Sequence, residues 1–301
     1  MSINNIDLKQ KGKQYRNNRT LENDRESRFT IKRLLLYLVL ISLAIGQLFP
    51  LIWLFDYSLV KSGDLFGAEF MKIPNPPIWN NFVRAWVDGK ILHYFFNSCI
   101  IVGISVFLSM VVSLLLAYAC TRMEWKLKGV VFGFTLIGMM IPIHATLLPN
   151  FLLFNFFHLL DTHVGFIIPY VAFTLPFNTL MLSGFLKTIH RSLEESAMID
   201  GCSIWGIIFR IIAPITKPAL ITVAIITFMT NWNEFIMANT YLSSDQVRTL
   251  PFSVINFVGY YRSDYALQFA CMAIVAIPSL LIYFILNKYI TEGVTMGAVK
   301  G

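Results

Sequence analysis

Six runs, at residues 34–55, 97–119, 130–149, 164–183, 219–238 and 268–287, hold one charged residue between them, Glu234. A helix of about 20 residues crosses a hydrocarbon core of about 30 Å, and inside lipid the backbone must satisfy its own polar groups. The runs therefore predict an all-α, polytopic membrane protein with six transmembrane helices. Proline falls inside four of them, as Pro50, Pro142, Pro169 with Pro176, and Pro278. Such breaks are tolerated where neighbouring helices or water meet the released carbonyls, which points to a bundle with a polar interior.

Charge is sparse over the chain as a whole. Only 14% of the chain is charged, where a soluble domain carries about 25%, and this argues against a soluble enzyme. The net charge of +7 raises the question of a polyanion partner. Placement answers it: with the N-terminus inside, 18 Lys and Arg lie on the cytoplasmic side and 6 on the other. This asymmetry predicts cytoplasmic termini, and the basic stretch at 9–33 reads as an orientation signal, so no nucleic acid is expected. The polar stretch before the first run and the lack of a small-residue cleavage pattern after it give no sign of a cleavable signal peptide.

The expected organisation is a basic cytoplasmic tail at 1–33, a six-helix permease-type domain at 34–290 and a cytoplasmic tail at 291–301. Within it, 187–213 forms a cytoplasmic loop, and 56–96, 150–163 and 239–267 are extracytoplasmic. Cys99, Cys120, Cys202 and Cys271 have no CxxC spacing and read as small buried hydrophobes.

Several chemistries have no foundation here. There is no GxxxxGK followed by Ser or Thr, so any ATP used in transport must be hydrolysed by another subunit. HExxH and GxSxG are absent too, and a non-catalytic chain with no cofactor or metal of its own is expected. His158, Asp161 and His163 match no zinc spacing. Ion-coupled transporters keep several ionisable groups within their spans, and this chain offers only Glu234 and His144.

The stretch 190–218, HRSLEESAMIDGCSIWGIIFRIIAPITKP, is the most informative. Ser192 and Glu195 have the spacing of a capping box, which predicts a helix from Leu193. Gly201 suits a left-handed stop, and Ser203 a second cap. Leu193, Ala197 and Met198 fall near one face with Ile199 beside them, and Glu194 and Asp200 lie elsewhere. So short an apolar face must dock, either on this protein's own membrane ends or in a partner's groove.

Glu195-Ser196-Ala197, followed by Asp200-Gly201-Cys202 and then Pro214 and Pro218, resembles the EAA motif of bacterial ABC importer permeases, of approximate form EAAxxDGA. Ser196 and Cys202 stand where that motif has alanine. Further stretches are similar to MalG-like inner-membrane subunits of carbohydrate importers. They are Asn97-Ser98, Ala117-Tyr118, Met140 to Pro142 with Leu148-Pro149, Asn231-Trp232-Asn233-Glu234-Phe235, Arg248-Thr249-Leu250-Pro251, and Gly297 to Gly301. The resemblance spans 34–301.

It implies a multi-pass protein of the bacterial plasma membrane, working beside a homologous second permease and two ATPase subunits that hold ATP and Mg. An extracytoplasmic solute-binding protein delivers a di- or oligosaccharide, translocated by alternating access. Leu193, Glu195, Ser196, Ala197, Met198, Asp200 and Gly201 become the ATPase-coupling residues. Asn231, Asn233, Glu234 and Asn178 are candidates for the substrate pathway, with Asn150 and Asn155 behind them. Amides and a carboxylate exchange hydrogen bonds with sugar hydroxyls, although Asn231 to Glu234 also suit a helix contact or an outer gate. Tyr241, Tyr260 and Tyr261 are candidates for contact with the binding protein. The alternatives are an ion-coupled secondary transporter or channel, or an importer for a non-sugar solute such as glycerol phosphate.

Overall fold

The computed structural model describes residues 32–63, 74–259 and 263–298, with side chains as far as 286. It divides into two compact units, residues 1–56 and 57–301. Helix α1 (Lys32–Ser58), 27 residues of mean hydropathy 2.3, lies in the first unit apart from its last two residues.

The second unit runs through α2 (Asn80–Asp88), α3 (Ile91–Thr121), α4 (Lys128–Ile137), α5 (Leu147–Phe156), α6 (His163–Leu186) and α7 (Ser192–Ile199). It continues through α8 (Ile204–Ile215) and α9 (Lys217–Trp232), then α10 (Ile236–Tyr241) and α11 (Tyr265–Ala298). No strand occurs among the described residues.

Four described helices are long and apolar enough to cross a membrane: α1, α3, α6 and the Tyr265–Leu286 part of α11. The count reaches six if each of two bent pairs is one span. In the first pair, Lys128–Met140 meets Ile143–Phe156 at 95°. Pro142 explains that break, because proline pushes the residue before it out of the helical region, and Ile141 is indeed extended, at φ −82° and ψ 117°. The proline break expected in the run at 130–149 thus makes it an angled pair.

The second pair, Ile204–Ile215 and Lys217–Trp232, bends by 80° between Pro214 and Pro218. It also corrects the fifth run, expected as continuous over 219–238. Helix α9 stops at Trp232 after 16 residues, about 24 Å at 1.5 Å per residue and short of a full hydrocarbon core. Side chains after it satisfy backbone groups locally. Asn233 Nδ2 donates to Met229 O at 2.9 Å, and Glu234 takes the Met237 amide at 2.7 Å. Side chain to backbone bonds of this kind compete with helix continuation. The connecting segments are also more helical than expected: α2 lies within 56–96, α5 enters 150–163, and α11 continues to Ala298 through the expected tail.

Helices α3 and α6 form the spine of the second unit. One apolar cluster gathers Tyr94 and Ile101 with Phe166, Tyr170 and Trp232, and another gathers Leu114 and Tyr118 with Leu182 and Leu186. The two helices therefore run side by side in the same direction. Ser105, Ser109 and Ser113, one helical turn apart and buried, let them approach closely, and Ser109 Oγ pairs with Thr174 Oγ1 at 2.8 Å. The outer surface is apolar, with Phe107, Phe134 and Phe284 exposed, as a lipid-facing surface requires. Of the cysteines expected to be buried, only Cys271 is; Cys120 and Cys202 are half-buried and Cys99 is exposed.

Candidate functional site

Helix α7 begins at Ser192, one residue earlier than expected, with Arg191 before it and no side-chain cap. A serine already in helical conformation is poorly placed to cap the turn it belongs to, so the Ser192–Glu195 box does not form. The Ser196 hydroxyl instead donates to Ser192 O at 2.8 Å. The stop is as the sequence suggests. Gly201 takes a left-handed φ of 78°, and the Cys202 amide closes back on Ala197 O at 2.9 Å. Ser203 then caps α8, its Oγ accepting from the Gly206 amide at 3.3 Å.

The face that α7 buries differs from the expected one. Ala197 is buried, but Leu193, Met198 and Ile199 point outward, Ile199 at 86% exposure. Glu195, Ser196, Asp200 and Gly201 are exposed as well. The second inward residue is Glu194, 5% exposed, which sits three positions before Ala197 on the same side. A buried carboxylate needs partners, and two come from the end of α3. Tyr118 Oη donates to Glu194 Oε2 at 2.9 Å, and Arg122 Nε lies 3.3 Å from Oε1. The Arg122 guanidinium also donates to Leu186 O and, at 2.7 Å, to Ile189 O, at the end of α6. In the sequence nothing sets Arg122 apart from the other positive charges of the 120–129 loop.

Among the polar candidates, Asn178 and Asn231 are interior. Asn178 Oδ1 accepts from Thr227 Oγ1 at 3.1 Å, joining α6 to α9, and neither Nδ2 finds a protein partner. Asn233 is exposed and joins α9 to α11, accepting from Ser279 Oγ at 3.0 Å. Glu234 works at a helix start. It takes the Met237 and Ala238 amides at 2.7 and 3.2 Å, as a carboxylate at a helix N-terminus does, and receives Tyr170 Oη at 3.3 Å. The four residues thus do not share one lining: two are interior, and two shape the α9–α10 break.

On the opposite end of the second unit, segment 242–250 is stapled to the start of α3. Asn97 Nδ2 donates to Gln246 O at 2.8 Å and Arg248 O at 3.0 Å, and Ser98 Oγ accepts from the Leu250 amide at 2.8 Å. Two of the family-like stretches, 97–98 and 248–251, are therefore in contact. Asp245 is the ionic centre, receiving Lys90 Nζ, Tyr94 Oη at 2.8 Å and Arg248 at 2.7 Å. The Lys90 and Tyr94 hydrogen bonds lead in pulling its carboxyl down to about 2. Asp161 takes the Ser243 and Ser244 amides, each at 2.8 Å. Burial pushes its carboxyl up, but those bonds outweigh it and the net shift is downward. Most partners of the two aspartates are backbone atoms or residues distant in sequence, which leave no linear signature. Among the described residues no cluster suits a metal, the His158–His163 stretch included.

Tyr241 corrects an expectation. It is buried, its ring edge-on to Phe154 at 5.5 Å and its hydroxyl 3.3 Å from Leu147 O, and so cannot touch a partner in this conformation. Tyr260 and Tyr261 lie outside the described residues.

Residues 109–296 match the binding-protein-dependent transport system inner membrane component family. The chain belongs to this family. The permease is 32% identical over 278 residues to the trehalose/maltose transport system permease protein MalG of Thermococcus litoralis, covering 90% of this chain and 98% of that one. It is 30% identical over 259 residues to the sulfoquinovosyl glycerol transport system permease protein SmoH of Agrobacterium fabrum, covering 86% and 91%. Its fold is that of a chain in the crystal structure of a bacterial ABC transporter that imports the acidic polysaccharide alginate. The TM-score is 0.76 at 21% identity, with 86% of this chain and 96% of that one covered. The permease is accordingly a multi-pass inner-membrane transport component, and the matched region takes in the contacts of Tyr118 and Arg122 with Glu194.

Proposed function

We propose that this permease is one of two homologous membrane subunits of an ATP-driven importer that moves a di- or oligosaccharide from an extracytoplasmic binding protein into the cell. The observation that carries the reading is α7, whose apolar residues Leu193, Met198 and Ile199 face outward while its base is held by Tyr118 and Arg122. A permease without a phosphate-cradling loop needs a surface through which nucleotide-driven motion can enter, and α7 has the form of one. Two ATPase subunits holding ATP and Mg would seat there. The excess of Lys and Arg on the α7 side supports a cytoplasmic position for that surface and for both termini.

Sugar as cargo is supported by the trehalose/maltose and alginate systems among the relatives, and by a path candidate set made of amides and one carboxylate. Phosphate recognition would favour Arg or Lys, and neither lies within the apolar runs. Asn233, exposed beside the α9–α10 break, is the pathway residue that the geometry favours. Glu234 shapes the break, Asn178 joins the helices behind it, and Asn231 is buried there.

The test is purification of the intact complex, reconstitution with its binding protein, and measurement of ATPase stimulation by maltose, trehalose, alginate oligosaccharide and glycerol phosphate. Stimulation by one of the sugars is expected. Uptake that persists without ATP and stops when an ion gradient is collapsed would overturn the reading in favour of a secondary transporter.

A further inference from the structure

The carboxylate of Glu194 lies outside the motif residues Glu195 to Cys202, yet it is the polar group of α7 that the protein buries. Its partners converge from two directions. Tyr118 and Arg122 are in the last turn and cap of α3, and Arg122 at the same time holds Leu186 O and Ile189 O at the end of α6. The Arg122 and Glu194 side chains are 5% and 6% exposed, so water does not compete with the pair. A planar guanidinium can engage a carboxylate and two carbonyls at once, which a lysine ammonium cannot do with the same geometry.

From this arrangement we infer that Arg122, with Tyr118 and Glu194, is a positioning clamp that makes α7 move as one body with α3 and α6. The inference deepens the importer reading and rests on it. Helix α7 has only 8 residues, too short to hold its own shape in water. Its route onward through the chain passes the Gly201 turn and a π-helical stretch, Ile207–Ile212, a geometry that readily absorbs displacement. Motion entering α7 along the chain would be partly taken up there. Motion entering through the clamp reaches the paired spine α3–α6 directly. Leu193, Met198 and Ile199 are then the contact surface, and Glu194 converts contact into movement of the spans.

The experiment places nitroxide labels at Ser192→Cys and Phe107→Cys, both exposed positions, in the intact complex with the native cysteines replaced. The distance distribution is recorded with and without MgATP. In the parent protein a narrow distribution that MgATP leaves in place is expected, since α7 and α3 travel together. Glu194→Gln and Arg122→Lys should broaden it. They should also lower the stimulation of ATP hydrolysis by sugar-loaded binding protein by about tenfold, within the usual span of coupling between sites. Tyr118→Phe, a milder change, should give an intermediate width and keeps the test open if the charge variants fail to assemble. Unchanged widths in these variants, or a parent distance that MgATP shifts, would overturn the clamp. If no ATPase accompanies the complex, the importer reading fails, and the nucleotide-free widths still decide the clamp.

Discussion

At the scale of single residues, the α7 side of the protein depends on one buried ion pair. Removing one partner of such a pair costs about 3–5 kcal/mol, because the other charge stays buried without compensation, whereas replacing both with apolar groups of similar volume is often neutral. Arg122→Ala is therefore expected to lower the thermal midpoint of the purified protein sharply, and Arg122→Met combined with Glu194→Leu to recover most of it; equal losses in both would contradict this account. The outer aspartate behaves differently, being half-exposed. Its folded carboxyl sits at about 2, below a free aspartate at about 3.9. Its stabilisation is thus complete above the free value and disappears as pH falls through the folded one. Asp245→Asn should expose segment 242–250 to protease at neutral pH, and the parent should become equally sensitive only near pH 2. Glu194 and Arg122 escaped sequence reading for the same physical reason. Periodicity counts apolar residues, and a charge that is buried by pairing carries no mark of its burial.

At the scale of elements, what could be read early was hydropathy and proline, and what could not was local hydrogen bonding. Helices α3 and α6 follow their apolar runs closely, and Pro142 marked the first bend. The α9–α10 break did not show in the run at 219–238, since only Glu234 interrupts its apolar character and the bonds from Asn233 and Glu234 to backbone atoms have no linear signature. The α7 segment was legible in its stop at Gly201 and its following cap at Ser203, and misread in its first turn and in its buried face. Proline within a helix costs about 3 kcal/mol. Ala197→Pro is expected to leave membrane insertion intact, as seen by membrane fractionation, while separating ATP hydrolysis from uptake. Full uptake by that variant would refute the assignment of α7 as the coupling element.

Over the whole molecule, the charge asymmetry and the span pattern together forecast sidedness. A membrane-impermeant maleimide should label Lys126→Cys, exposed after α3, only in inverted vesicles, and Lys61→Cys only in right-side-out cells; the reverse pattern would invert the orientation. The family and the helical class were legible because they rest on long apolar runs and a contiguous motif. The clamp and the outer staple were not, because each joins segments distant in sequence. That separation also has a meaning in time. The groups that satisfy Arg122 are made 64 to 72 residues after it, from Leu186 to Glu194. At a synthesis rate of about 5–20 residues per second, the new guanidinium spends roughly 3–15 s at the membrane surface before it can be covered. Helix α3 is therefore left with a charge that anionic headgroups can hold until the end of α6 arrives to claim it.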